Sequence, residues 1–198
     1  MIMAETALEF PEEATREERT IDWKLLAEIS DKDFRFTDLV EKSDKTRFSV
    51  RILLCNNRSE ICVIKSEKYG YLQLPGGGIE KGEGIIEAAI RETKEESGYL
   101  MKNIEALGYT IEHRESVRNH HNWRRDISFT FMAAATKNVG TNYMEDEITE
   151  GFIPVWMGLD EVILELEQNE GSIENYSGCF SNRRDLSIVK FFRRTSIN

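Results

Sequence analysis

Cysteine is scarce in this chain: Cys55, Cys62 and Cys179 are the only three among 198 residues. The odd count and the lack of any CxxC spacing exclude a disulfide framework and a thiolate metal knuckle. They predict plain buried or half-buried thiols in a reducing compartment. Long apolar runs are missing too, and nothing approaches the roughly 18 residues that a membrane span needs. The opening MIMAETALEFPEEATREER lacks the basic-then-apolar order of a secretory leader, so a cytoplasmic protein is the expectation. Positive charge is in deficit, with 26 Lys and Arg against 36 Asp and Glu for a net charge of −10. That balance argues against a nucleic-acid polymer or an anionic membrane as partner. It leaves room for a phosphate-bearing small molecule met through bound cations, which reverse the local sign. Internal repeats and low-complexity segments are absent.

What is present suits one folded domain with extensions, since 40% of residues are hydrophobic and 31% charged. The expected division is an N-terminal extension over 1–45, a core domain over 46–170, and a C-terminal helical extension over 171–198. In the first, Thr15-Arg16-Glu17-Glu18 reads as a capping box opening a helix to about Ile29. Phe48–Cys55 and Ile61–Ile64 read as strands joined by the turn signal Asn56–Ser59. Tyr71–Leu74 is a short extended piece stopped by Pro75-Gly76-Gly77-Gly78. A helix is predicted over 85–97 with Gly98 as its stop. Further strands follow over 104–114, 126–136 and Phe152–Met157, and helices over Leu159–Gln168 and Asp185–Arg194. Strands, helix, strands, helix imply one mixed sheet between helices.

The chemistry concentrates in residues 77–99. At one hundred degrees per residue, Glu92, Glu95 and Glu96 share one helix face. Ile86, Ile90, Thr93 and Ser97 cluster roughly 140° away and are expected to dock the helix. Like charges at this spacing repel, and a hard divalent cation among their oxygens relieves the repulsion. Three glycines directly before the helix allow close backbone approach, bringing a carbonyl to a metal or N–H groups to a phosphate. Arg91 adjoins the cluster and is suited to hold a carboxylate bidentately.

This segment resembles the Nudix box: Gly, five residues, Glu, seven residues, Arg-Glu, two residues, Glu-Glu, one residue, Gly. All seven fixed positions match, at Gly77, Glu83, Arg91, Glu92, Glu95, Glu96 and Gly98. With each residue type near one in fifteen, a chance match at a given start is on the order of 10⁻⁸. Thr93 and Tyr99 depart from the aliphatic residues usual at two apolar slots, and both still suit packing. The flanking strand order extends the resemblance to about residues 46–170.

The resemblance implies an α+β fold, the Nudix-type α/β/α sandwich with a mixed β-sheet. It implies a divalent-metal-dependent hydrolase that cleaves a diphosphate linkage in a nucleotide-like small molecule, with Mg²⁺ or Mn²⁺ as cofactor, and a possible homodimer. By the same resemblance Glu92, Glu95, Glu96 and the Gly77 region hold the metal, Arg91 orients the carboxylates, and Glu83 stabilises the loop. Glu150, with Glu147 as second choice, is expected as a further ligand or base. Arg51, Trp123, Arg124 and Arg125 are candidate substrate contacts; the alternative for Arg51, as for Arg183 and Arg184, is a plain surface position. Two competing readings are a Nudix-fold module that binds or regulates without catalysis, and an isomerase relative. The first would commonly lose box carboxylates that this chain keeps, and the second would need its own cysteine and acidic site residues.

Overall fold

The computed structural model of the protein describes residues 8–34, 46–115, 123–173 and 176–196. Thr15 and Glu18 form the expected capping box at the start of α1 (Arg16–Thr20), through Glu18 N to Thr15 Oγ1 at 3.1 Å and Thr15 N to Glu18 Oε2 at 2.7 Å. The helix ends at Thr20 rather than near Ile29. Leu25–Ser30 is instead strand β1, paired in parallel with a later strand. A sheet edge offering backbone partners overrides the weak local helical signal. A 3₁₀ turn (Asp31–Asp33) follows.

Strands β2 (Thr46–Cys55), β3 (Glu60–Ser66) and β4 (Leu72–Gln73) lead to α2 (Ile85–Glu92), which continues as a π-helical turn over Thr93–Ser97. Gly98 ends it in the left-handed conformation (φ 76°), donating its N–H to Lys94 O. Then come β5 (Tyr99–Glu115), β6 (Trp123–Asn138), α3 (Glu145–Glu150), β7 (Phe152–Gly158), α4 (Leu159–Asn169) and α5 (Tyr176–Thr195). The strands form a seven-stranded mixed sheet in the order β1-β5-β6-β2-β3-β4, with β7 pairing β3. The α1 and α2 side packs on Val50, Ile52, Leu54, Phe129 and Phe131. The α4 and α5 side packs on Leu53, Ile61, Val63, Leu72 and Leu74. Helices on both faces of a mixed sheet make the α/β/α sandwich.

Trp23, which has no clear meaning in the sequence, sits edge-on against Phe129 and Phe131 at centroid distances of 4.9 and 5.4 Å. Cys62 is buried, and Cys55 and Cys179 are free and half-buried.

Under α5 the sheet is polar. The register aligns Arg47, Asp126 and Glu112 across β2, β6 and β5, then Ser49, Ser128 and Thr110, then Arg51 and Thr130. Ser49 and Ser128 share a 2.7 Å hydrogen bond. Arg184 enters this layer from α5. It is 2% exposed, not a surface residue, with Nη1 3.2 Å from Glu112 Oε1 and Nε 2.7 Å from Asp185 Oδ1. Burial disfavours its charge, yet Asp185 and Glu112 outweigh that and hold it protonated. Glu112 is buried as well, and Arg184 and Arg114 keep it below the usual carboxylate range. Breaking such a network strands a buried charge. Arg184→Ala is therefore expected to lower unfolding stability by about 3–5 kcal/mol. Urea denaturation measures this, and a loss below about 1 kcal/mol, the size of an exposed pair, would contradict it.

Candidate active site

The loop from Leu74 to Gly78 is held against β2. Ile52 N donates to Pro75 O and Val50 N to Gly77 O, both at 2.9 Å. Gly76 adopts φ 141°, and a Cβ there would lie 2.1 Å from Val50 O. Only glycine fits both the torsion and the approach. At Gly77 the obstacle is the next helix, since a Cβ would lie 2.4 Å from Glu92 Oε1.

Of the docking stripe expected for α2, Thr93 and Ser97 are buried and Ile86 packs against the core, while Ile90 does not. Ile85, Ala88 and Ala89 are buried, together with Glu92, Thr93, Glu96 and Ser97, whereas Ile90 is 45% exposed. From Ile85 the spacing i+3, i+4, i+7, i+11 marks one helical face. Two alanines let the helix approach closely, and that approach carries Glu92 and Glu96 inward with them. The apolar stripe and two of the three carboxylates thus coincide. Ile85, Ala88 and Ala89 make the buried contact with Ile86 packed beside them, and Ile90 alone of the expected residues lies outside it.

Glu96 accepts the N–H of Gly76 at 2.8 Å through Oε2. Burial raises its pKa well above the ordinary carboxylate value, the Gly76 bond pulls down, and Glu92 pushes up. Glu92 is raised by burial against the pull of Arg91. Arg91 spans the site. Nε and Nη2 grip both Glu83 oxygens at 2.7 and 2.9 Å, and Nη2 also donates to Gly78 O at 2.9 Å. A single nitrogen, Nη1, bridges Glu92 Oε1 at 2.8 Å and Glu95 Oε2 at 3.1 Å. Arg91 is held protonated chiefly by Glu83, and in turn holds Glu83 below the carboxylate range.

Among the described residues no three His, Cys, Asp or Glu side chains stand close enough to enclose a metal ion. The donor set nonetheless suits a hard cation. It is all oxygen, and the Glu92 and Glu96 carboxyls are buried with their proton affinity raised, so added positive charge beside them is favourable. Arg91 Nη1 lies between Glu92 and Glu95 and offsets their charge.

The remaining candidates lie around this centre. Glu147 Oε2 caps α3 by accepting from Met144 N at 2.6 Å, and its charge contributes to the raised pKa of Glu96. Glu150 accepts the Tyr71 hydroxyl at 3.0 Å, and its carbonyl receives Ser66 Oγ at 3.1 Å. Arg51 is buried rather than on the surface. Its Nη1 donates to Val50 O at 3.0 Å, and its Nε has no hydrogen-bond partner. Burial, then Arg184, lowers its pKa to about 10, while Asp185 and Glu96 oppose the drop. Arg125 donates to Thr46 Oγ1 at 3.2 Å and pairs with Glu9, so it faces the N-terminal segment. Trp123 and Arg124 begin β6, but their side chains, and residues 116–122 of the polar loop, lie outside the described residues.

Two residues escaped the sequence reading. Tyr143 donates to the Glu96 carbonyl at 2.9 Å, beside Asn142 N on Glu95 O at 2.8 Å, bracing the π-helical turn from outside. Asp185 accepts Leu74 N at 2.8 Å, fixing the glycine loop from the far side. Tyr143 stands four residues before Glu147, already a candidate, whereas no local signal marks Asp185.

Comparison with known proteins agrees with this geometry. A family model described as the NUDIX domain matches residues 45–176. An RNA pyrophosphohydrolase of Wolbachia sp. subsp. Brugia malayi (strain TRS) is 41% identical over 79 residues, covering 37% of this chain and 49% of that protein. An RNA pyrophosphohydrolase of Ruthia magnifica subsp. Calyptogena magnifica is 35% identical over 68 residues, covering 34% and 38%. The chain thus spans about half or less of the length of these curated relatives. Among solved structures, the MutT protein from Bacillus halodurans is 23% identical, with a TM-score of 0.48 over 60% of this chain and 72% of that one. A NUDIX hydrolase from Nitrosomonas europaea is 20% identical, with a TM-score of 0.48 over 71% and 89%. With a family model spanning more than half of its length and the box carboxylates gathered on a glycine loop, the chain belongs to the Nudix family.

Proposed function

We propose that the protein is a divalent-metal-dependent pyrophosphohydrolase that splits a diphosphate linkage in a nucleotide-like small molecule. One observation carries the reading: two carboxylates, Glu92 and Glu96, are buried against a glycine loop with raised proton affinity. A packing role would not call for paired buried acids, whereas a hard cation turns their cost into binding. Mg²⁺ or Mn²⁺ bound there would neutralise the diphosphate and lower the pKa of an attacking water.

The chain's own residues divide the remaining work. Glu92, Glu95, Glu96 and the Gly77 region would hold the ion. Arg91 orients Glu92 and Glu95 while Glu83 anchors Arg91. For taking the proton of the attacking water, Glu150 and Glu147 are the candidates: Glu150 is held by Tyr71, and Glu147 is held by Met144 N with its charge bearing on Glu96. Arg51, a buried guanidinium with an unused Nε, is the best-supported phosphate contact. Trp123 and Arg124 are proposed as further substrate contacts on their sequence context alone. Arg125 is the weaker candidate, because Glu9 already neutralises it. Among the described residues no helix is long and apolar enough to cross a membrane.

A screen of nucleoside triphosphates, nucleotide sugars, ADP-ribose and a 5′-triphosphorylated RNA oligonucleotide tests the reading, with Mg²⁺, Mn²⁺ or EDTA. The small nucleotides are expected to be hydrolysed only with a cation present. Glu95→Gln and Glu96→Gln are each expected to cut turnover at least roughly a hundredfold. Near-normal rates in both would reject the assignment. Faster turnover of the oligonucleotide than of every small molecule would move the substrate to RNA ends, as the names of the curated relatives suggest.

A second prediction concerns stability without metal. The folded pKa of Glu96 lies above its unfolded value, so the carboxyl's contribution is complete at low pH and is lost as pH rises through the folded value. Glu96→Gln keeps an acceptor for Gly76 N and cannot ionise. In EDTA it should raise the melting temperature near pH 8 and change it much less near pH 5. Mn²⁺ should stabilise the wild type and leave Glu96→Gln unchanged. A variant that melts lower than wild type near pH 8 would contradict the cost assigned to this buried charge.

A further inference from the structure

We infer that Glu18, in the segment before the Nudix domain, supplies the capping oxygen for the N-terminus of the box helix and is a positioning residue for its carboxylates. The assignment of catalytic work to that helix rests on the proposed function; the capping itself does not. Residues 8–30 lie outside the stretch that matches the family.

The first N–H groups of any α-helix have no partner within it and usually take a side-chain oxygen from the residue at the N-cap. Helix α2 begins after Gly84, which has no side chain to offer. Half of the local device is present: Glu87 Oε2 receives the N–H of Gly84 at 2.9 Å. The other half comes from 68 residues upstream, where Glu18 Oε1 accepts the N–H of Ile86 at 2.8 Å. Its second oxygen receives Thr15 N at 2.7 Å, so one carboxylate closes the starts of two helices. Glu18 is 3% exposed, and a negative charge at a buried helix N-terminus also meets the positive end of the helix dipole.

Neighbouring contacts aim this carboxylate at the helix. Trp23 Nε1 donates to the Glu18 carbonyl at 2.8 Å while its ring packs on Phe129 and Phe131. Arg19 holds the preceding turn through Ala14 O at 2.9 Å and Pro11 O at 2.8 Å. Glu13 Oε1 receives Gly82 N at 2.9 Å, a second clamp next to Glu83. Glu83 anchors Arg91, and Arg91 bridges Glu92 and Glu95. Fraying of the first turn would therefore loosen the carboxylate set from its N-terminal side.

Rescue by a local cap separates this role from simple packing. Gly84 has φ −75°, and a Cβ there would meet only Glu87 Oε2 at 3.4 Å and Glu18 oxygens at 3.6 Å and beyond. Gly84→Ser therefore fits, and with Glu87 it completes a Ser-x-x-Glu capping box. The test uses the full chain as wild type, Glu18→Ala, Glu18→Gln and Glu18→Ala with Gly84→Ser. The readouts are amide hydrogen exchange over residues 85–88, Mn²⁺ affinity, and kcat and KM on the best substrate.

Glu18→Ala is expected to speed exchange there about five- to tenfold, as loss of a cap does. It should weaken Mn²⁺ binding and lower kcat severalfold with little change in KM. Glu18→Gln, which keeps one oxygen, should fall between, and adding Gly84→Ser should restore all three readouts. Unchanged exchange in Glu18→Ala overturns the capping, and so does a loss that Gly84→Ser fails to restore. Lost protection with unchanged Mn²⁺ affinity and kcat overturns the positioning role. If Glu18→Ala does not fold, folding of the double variant supports the inference and its failure overturns it. A wild type with no diphosphatase activity overturns the proposed function alone, because exchange still decides the cap.

Discussion

The structure turns on two carboxylates held where carboxylates are costly. Removing an ionised acid from water costs several kcal/mol unless something compensates. Glu96, 4% exposed, has the N–H of Gly76 beneath it and the guanidinium of Arg51 nearby, and Glu92 has Arg91. The glycines of the box follow from this arrangement. Gly77 is glycine because the Glu92 carboxylate fills the volume of a side chain. Gly76 is glycine because the loop must press on β2 with its N–H turned to Glu96. The spacing of the box is thus a steric contract between a loop and a helix face, set by where the acids are buried.

A second charged layer mirrors the first across the loop. Leu74 N is bound by Asp185 and Gly76 N by Glu96, so the residues on either side of Pro75 are tethered to opposite helices. Arg51 stands between, its charge felt by Asp185 on one side and Glu96 on the other. Helix α5 therefore does more than cover apolar surface. Its Arg184–Asp185 pair ties the polar half of the sheet to the loop that carries the box glycines. The α5 layer is nearly dry, whereas Arg91 and Glu95 in the box layer remain partly exposed.

Much of this was legible in the sequence, and the failures share one cause. The box, the helix over 85–97, Gly98 as its stop and the capping box at Thr15 depend on neighbours in the chain, and they appear as read. The extent of β1 was not legible, because Leu25–Ser30 is a strand only by virtue of a partner more than eighty residues away. A plain surface position stood open for Arg51 and Arg184, and Asp185 carried no reading, because partners of each lie far away in sequence. The docking face of α2 was legible in part, since Ile86, Thr93 and Ser97 do face the core and Ile90 does not. Alanine contributes little to a hydrophobic pattern, yet Ala88 and Ala89 are fully buried there. A stripe of small residues in phase with acids was the available signal.

The same energetics weigh between a hydrolase and a module that only binds. A binding pocket gains from oriented donors and apolar walls, and it has no use for several acids repelling one another on consecutive turns. Here the acids are concentrated, partly buried and offset by one guanidinium whose Nη1 sits between two of them. Among the described cations around the site, Arg91 is committed to carboxylates, Arg51 is buried near Glu96, and Lys94 lines the same hollow as Arg91 and Glu95. In a chain of net charge −10, a polyphosphate would be repelled by the bare site. Charge reversal by a bound ion would therefore favour such a substrate, in keeping with the proposed function.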